Sequence, residues 1–179
     1  NRGNVLQQLN RFAEALADHN QAIALDPRFA QAHLNRGNVL QNLARLPEAI
    51  ASFDQAIALA PHLAMAHRNR GTVLKRLRRL DDALASFEAA FAQDPRDAIA
   101  LSEALALEAQ MCRWTAPGRK AELLRRVRQG ATIPPFHLLA LADDAALQRA
   151  NARRWSEIHF PPQPAARPAT PRPRQGRIR

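Results

Sequence analysis

The chain of 179 residues is 46% hydrophobic but only 5% aromatic, without a tyrosine, which suits Ala/Leu-packed helices better than a β-sandwich or barrel. Its 26 Lys and Arg against 16 Asp and Glu give a net charge of +10. One cysteine, Cys112, excludes an internal disulfide framework, and no run approaches the roughly 18 apolar residues of a membrane-spanning helix.

The chain begins with a triplet that returns. Asn1-Arg2-Gly3 recurs as Asn35-Arg36-Gly37 and Asn69-Arg70-Gly71, each 34 residues on. Ala15, Ala49 and Ala83 keep the same step, as do Ala22, Ala56 and Ala90, and Pro27, Pro61 and Pro95. Phe53 matches Phe87, with His19 in the first copy. A period of 34 with Gly, Ala and Pro at set offsets resembles the tetratricopeptide repeat, a helical hairpin that stacks into a solenoid. The implied fold is all-α, a right-handed tetratricopeptide superhelix with a C-terminal helical cap and a Pro-rich tail. Residues 1–97 would hold a truncated first repeat and two complete ones. The chain opens inside a repeat and without a basic-then-apolar leader, so an upstream segment is expected, and with no signal in view the expected compartment is the cytoplasm.

The second copy is the best formed. Helix A is expected over residues 30–43, built on Leu34, Val39, Leu40 and Leu43. Helix B starts near Pro47, where a missing N–H costs little, and carries Ile50, Phe53, Ala56, Ile57 and Leu59 until Pro61 stops it. In the third copy Asp81 is a candidate N-cap of helix B. Gly3, Gly37 and Gly71 fall inside helices, where Gly costs roughly 0.5–1 kcal/mol relative to Ala. Close approach of helix B would compensate, with Ala15, Ala49 and Ala83 as the facing small residues.

The asparagine lies two residues before that glycine, on another face of helix A. In stacked hairpins helix A lines the concave surface, so Asn1, Asn35 and Asn69 form a ladder one repeat apart. An amide side chain both donates and accepts, and a row of them can grip the backbone of an extended peptide whatever its side chains. The other reading is that these amides bond neighbouring helices within the solenoid. His33 and His67 also share the 34-residue step and read as packing residues, because no Cys, Asp or Glu cluster joins them to make a metal site. Lys75, Arg76, Arg78 and Arg79 end helix A of the third copy and complement its dipole.

Residues 98–160 begin a fourth copy in phase, with Leu101, Leu105 and Leu107, but Glu103 stands at the asparagine position and Leu105 at the glycine position. Cys112-Arg113-Trp114 and Thr115-Ala116-Pro117 follow, then a basic amphipathic helix on Leu123, Leu124 and Val127 that stops at Gly130. Pro134-Pro135 marks a turn and Asp143-Asp144 opens a helix reaching about His159. Ile133, Phe136, Leu138, Leu139, Leu141, Leu147, Trp155 and Ile158 are the expected apolar cap. Residues 161–179 form a Pro/Arg-rich linker.

The net charge sits in the second half. Residues 1–97 hold 12 basic and 10 acidic side chains, residues 98–179 hold 14 and 6. Only Lys75 and Lys120 are lysines, against 24 arginines, so the basic balance reads as compositional preference rather than a nucleic-acid footprint.

The order of asparagine-bearing repeats, Cys112-Arg113-Trp114, Ile133-Pro134-Pro135-Phe136, Leu138-Leu139-Ala140-Leu141, an Asp-led helix through Trp155 and a closing Arg177-Ile178-Arg179 resembles the N-terminal half of SPINDLY-like O-linked N-acetylglucosamine transferases and their bacterial relatives. The resemblance implies a parent enzyme that moves a sugar from a nucleotide sugar to Ser or Thr of proteins, the repeats presenting the acceptor on Asn1, Asn35 and Asn69. It places donor binding and catalysis beyond this chain, so no catalytic residue and no cofactor is assigned here, and the chain alone is not expected to transfer sugar. The alternative is a free-standing adaptor that docks extended polypeptides, with no nucleic-acid or membrane partner. Dimerisation through the convex face is compatible with either.

Overall fold

The computed structural model describes residues 2–113 and 117–161. Asn1, the segment Trp114-Thr115-Ala116 and the Pro/Arg-rich stretch from Pro162 to Arg179 lie outside the described residues. The described residues form ten helices and no strand. These are α1 (Arg2–Gln8), α2 (Phe12–Leu25), α3 (Ala30–Asn42), α4 (Leu46–Leu59), α5 (Ala64–Arg76), α6 (Leu80–Gln93), α7 (Ala98–Gln110), α8 (Pro117–Arg128), α9 (Pro135–Leu141) and α10 (Ala145–His159). Each packs mainly on its neighbours in the chain, and α3 also touches α5, so successive hairpins stack into an α-solenoid.

The turns inside the hairpins share one geometry. Asn10, Ala44, Arg78 and Cys112 all take positive φ, between 56° and 62°, at the 34-residue step. After each, the N–H of Arg11, Arg45, Arg79 or Arg113 bonds the carbonyl of Leu6, Leu40, Leu74 or Glu108 at 2.8–3.0 Å, the hydrogen bond that closes a helix through a left-handed residue. The arginine after the left-handed residue then pairs forward into the next helix, Arg11 with Glu14, Arg45 with Glu48 and Arg79 with Asp82, at 2.6–2.7 Å. Arg113 turns back instead and meets Asp81 at 2.5 Å. Asp81 is therefore not the N-cap that its position in the sequence indicates. Helix α6 begins at Leu80, and Arg79 occupies the cap.

Packing within each hairpin rests on the repeated glycine. A Cβ on Gly37 would stand 2.5 Å from Phe53 Cε1, and one on Gly71 3.1 Å from the Phe87 ring; for Gly3 the neighbour is the His19 ring at 2.7 Å. The group facing glycine is thus the ring of helix B, not the alanine one turn earlier. Ala15, Ala49 and Ala83 are wholly buried on the same helix face as those rings. Pro27, Pro61 and Pro95 each follow the C-cap of α2, α4 or α6 directly. His33 and His67 donate Nε2–H to the carbonyls of Pro27 and Pro61 at 3.0 and 2.9 Å, which ties each helix A to the loop before it.

The C-terminal helices continue the stack. Helix α8 lies against α7, α9 against α7, and α10 against α8 and α9. Leu101, Leu105, Leu123, Val127, Ile133 and Leu138 form their core. The apolar cap is smaller than its sequence indicates: Phe136, Leu139 and Ile158 are 82%, 56% and 62% exposed. The seven-residue α9 buries only the side bearing Leu138 and Leu141, and α10 the side bearing Leu147 and Asn151. Trp155 stacks on His159 with ring centres 3.8 Å apart instead of entering the core. Asn151 is fully buried: its Oδ1 accepts from Ile133 N at 3.1 Å and its Nδ2 donates to Ile133 O at 2.9 Å. One side chain thereby satisfies both polar groups of a buried backbone residue. Asp144 caps α10 by accepting from Leu147 N, and Asp97 caps α7 by accepting from Ile99 N and Ala100 N.

Candidate functional site

The amide side chains of the A helices come together along α3 and α5. Asn69 Nδ2 donates to Asn38 Oδ1 at 2.7 Å, a bond from one helix A to the next. Asn35 is 8% exposed, and its Oδ1 accepts from Gln31 Nε2 at 3.0 Å. Asn1 lies outside the described residues. Asn69 is thus bonded to the neighbouring helix A, and Asn35 to Gln31 of its own helix. The bond to Asn38 uses one of the two N–H donors of the Asn69 amide. Asn38, which was not singled out in the sequence, belongs to the same row. Its signal was the neighbouring position of the triplet, Asn4 and Asn38 one step apart.

Two cations near this row are paired with carboxylates of the chain itself. Arg68 pairs with Asp97 at 3.0 Å and Lys75 with Glu103 at 2.5 Å, with both carboxylates largely sheltered. Arg76 reaches the carbonyl of Gln41. Glu103, the residue that replaces asparagine in the fourth unit, therefore ends the ladder by taking up a lysine of the third. His137 on α9 stands 3.9 Å from Glu103 and 3.3 Å from Ser102 Oγ. Burial pushes the His137 imidazole below its ordinary range, with Glu103 opposing and Lys75 adding to that shift. A serine, a histidine and a glutamate are adjacent here, but Ser102 is fully buried and gives its hydroxyl proton to the Ile99 carbonyl. It cannot meet a substrate as a nucleophile.

Two further sets of arginines carry structure that the sequence reading passed over. The triplet arginines reach from helix A to helix B of the same hairpin: Arg2 to Asp18 at 3.5 Å, Arg36 to Ser52 Oγ at 3.0 Å and Arg70 to Ser86 Oγ at 2.7 Å. The signal, Arg at a fixed step, was visible as residues 2, 36 and 70. The basic helix α8 is likewise tied down. Arg125 and Arg126 share Glu122, whose carboxyl they hold at about 2, and Arg126 lies over the Phe91 ring and bonds the Pro95 carbonyl. Among the described residues no group of three or more His, Cys, Asp or Glu is placed to hold a metal ion, and no helix is long and apolar enough to cross a membrane.

Family models match three stretches: a TPR repeat model over residues 3–43 and tetratricopeptide repeat models over residues 30–63 and 68–110. Among solved structures, the second TPR domain of human RPAP3 in complex with the HSP70 peptide SGPTIEEVD is 26% identical, with a TM-score of 0.57 over 60% of this chain and 89% of that one. The TPR2B domain of yeast Sti1 in complex with pHsp70 is 25% identical, with a TM-score of 0.52 over 53% and 76%. MamA of Desulfovibrio magneticus RS-1 is 18% identical, with a TM-score of 0.64 over 73% and 74%, a likeness of fold alone. No curated protein matches the chain.

Proposed function

We propose, from the premise that residues 3–63 and 68–110 are tetratricopeptide repeats, that the chain is a scaffold gripping extended polypeptide along the amide row of α3 and α5. The observation that carries this reading is the pairing of two cations near the row, Arg68 and Lys75, with carboxylates inside the chain. Arg68 is held by Asp97 and Lys75 by Glu103, so neither of these cations stands unbalanced beside the amides. Its ligand is then an uncharged backbone read through Asn35, Asn38 and Asn69, not an acidic tail of the kind bound by the human RPAP3 domain. The resemblance over Cys112–Leu141 narrows the cargo to the acceptor segment of a protein O-glycosyltransferase, with Asn1 as the first rung. The same row serves a free-standing adaptor without change.

The test is peptide binding by fluorescence anisotropy with an uncharged Ser- and Thr-containing peptide and with SGPTIEEVD as comparator. The uncharged peptide should bind more tightly. Replacing Asn35 and Asn69 together by Ala should weaken it roughly 5- to 150-fold, two hydrogen bonds of about 0.5–1.5 kcal/mol each, with helicity and melting unchanged. Unchanged affinity, or a melting point that falls along with the binding, would leave the amides a structural role only. Reading the coding frame past Arg179 separates the two settings: continuation into a nucleotide-sugar-binding region supports the transferase arm, and a stop there supports the adaptor.

A further inference from the structure

The triplet arginines meet different partners in successive hairpins. Arg70 donates Nη1–H to Ser86 Oγ and Nε–H to Asp54 Oδ1 at 2.6 Å, the carboxylate coming from α4 of the preceding hairpin. One repeat later in the same phase, Glu88 takes Arg119 at 2.8 Å. One repeat earlier the position is Asn20, on α2, which has no charge to offer. Arg36 donates Nε–H to Ser52 Oγ at 3.0 Å, and among the described residues it makes no ion pair.

What lies in front of Arg36 is an open cleft of about 280 Å³ between α2 and α4, lined by Leu16, Asn20, Leu40, Arg45, Glu48 and Ser52. Glu48 faces the same space, but Arg45 holds both of its oxygens, at 2.7 and 2.6 Å, so that pair is neutral as a unit. Arg36 is the unbalanced charge of the cleft. Its guanidinium is half sheltered, with Leu16 and Leu40 beside it, where a charge-assisted bond is stronger than in open water.

We propose that the Arg36 cleft binds a carboxylate supplied from outside the chain, on the guanidinium N–H groups that Ser52 leaves free. The chemistry is shared by an acidic side chain or C-terminus of a partner polypeptide and by a small organic acid. The site opens towards the helices that follow the turns, whereas the amide row joins α3 to α5, so the two stand or fall separately. Burial lowers the Arg36 pKa, with Glu48 opposing, yet a guanidinium remains cationic at neutral pH.

The experiment is NMR observation of the arginine Nε–H resonances of the whole chain. It is titrated with sodium succinate, with sodium chloride at matched ionic strength, and with a capped tripeptide carrying Glu or Gln. Saturable movement of Arg36 with succinate or the Glu peptide, and none with chloride or the Gln peptide, is the expected result. Tighter saturation by the Glu peptide assigns a protein ligand, and by succinate a small acid. Asn20→Asp should fill the cleft from within and weaken the response at least tenfold, and Arg36→Gln, which keeps a donor for Ser52, should abolish the heat of succinate binding in calorimetry. An Arg36 shift that tracks chloride equally, or a succinate response untouched by Asn20→Asp, overturns the proposal.

Discussion

Adding one carbon at Gly37 tests how tightly the hairpins are built. A helix-interior Gly→Ala change gains about 0.5–1 kcal/mol from propensity alone. Here the new Cβ would meet three Phe53 ring carbons at 2.5, 2.7 and 2.8 Å, against about 3.5–4.0 Å for ordinary carbon contact. Phe53 has no exposed surface, and Ala49, Ala56, Leu34 and Leu40 share its cluster, so the ring has no free direction to retreat. Overpacking of that kind costs about 1–3 kcal/mol, leaving Gly37→Ala destabilised by up to about 2.5 kcal/mol. At Gly71 the nearest Phe87 carbons are at 3.1 Å, a shortfall of a few tenths, and the same substitution should be near neutral. Urea and thermal unfolding followed by circular dichroism measure both, with melting shifts of roughly 2–4 °C per kcal/mol. Combining Gly37→Ala with Phe53→Leu should recover part of the loss, a coupling visible in a double-mutant cycle. If Gly37→Ala proved as stable as Gly71→Ala, ring-on-glycine packing would not be what fixes the hairpin.

Two other substitutions probe buried polar groups. His19 is 2% exposed and its Nε2 is buried without a hydrogen-bond partner, while Phe occupies the same phase at residues 53 and 87. His19→Phe should raise stability by about 1–3 kcal/mol by removing the unsatisfied atom. Burial, opposed by Asp18, holds the folded imidazole pKa below its ordinary value. The unfolded chain therefore takes up the proton first, and the stability of the parent falls as pH drops below about 6.5. The melting difference between His19→Phe and the parent should widen from about pH 7.5 to about pH 5.5; a constant difference would rule out titration of His19. Asn151→Ala leaves the N–H and carbonyl of buried Ile133 without their side-chain partner and should cost about 2–4 kcal/mol. Hydrogen exchange should quicken at Ile133 and in α9 while α3 and α4 keep their protection, and uniform quickening would contradict a local role.

The repeat was legible because it is written in residue types that backbone geometry restricts. Glycine at 3, 37 and 71 and proline at 27, 61 and 95 recur at fixed offsets that no other spacing explains. The left-handed turns were not legible in the same way. Asn10, Ala44, Arg78 and Cys112 share a backbone conformation and no side-chain chemistry. The arginines at 11, 45, 79 and 113 were in plain view, but in a chain with 24 arginines their period was hidden in composition. For the amide row, sequence places Asn35 and Asn69 on corresponding faces. Whether Asn69 reaches Asn38 depends on the offset between stacked hairpins, a tertiary quantity. The exposure of Phe136 and Leu139 had no signal either, since a seven-residue helix is too short for periodicity to tell its buried side from its open one.

The left-handed turn, the arginine beyond it and the histidine tied to the preceding proline carbonyl all sit on the 34-residue step and all act between neighbours. A chain organised this way can gain or lose length by whole units at the level of the gene, since a duplicated hairpin meets on either side the kind of surface it already fits. Its binding surface would lengthen by one rung each time, so reach along a ligand becomes a matter of copy number rather than of redesigned contacts.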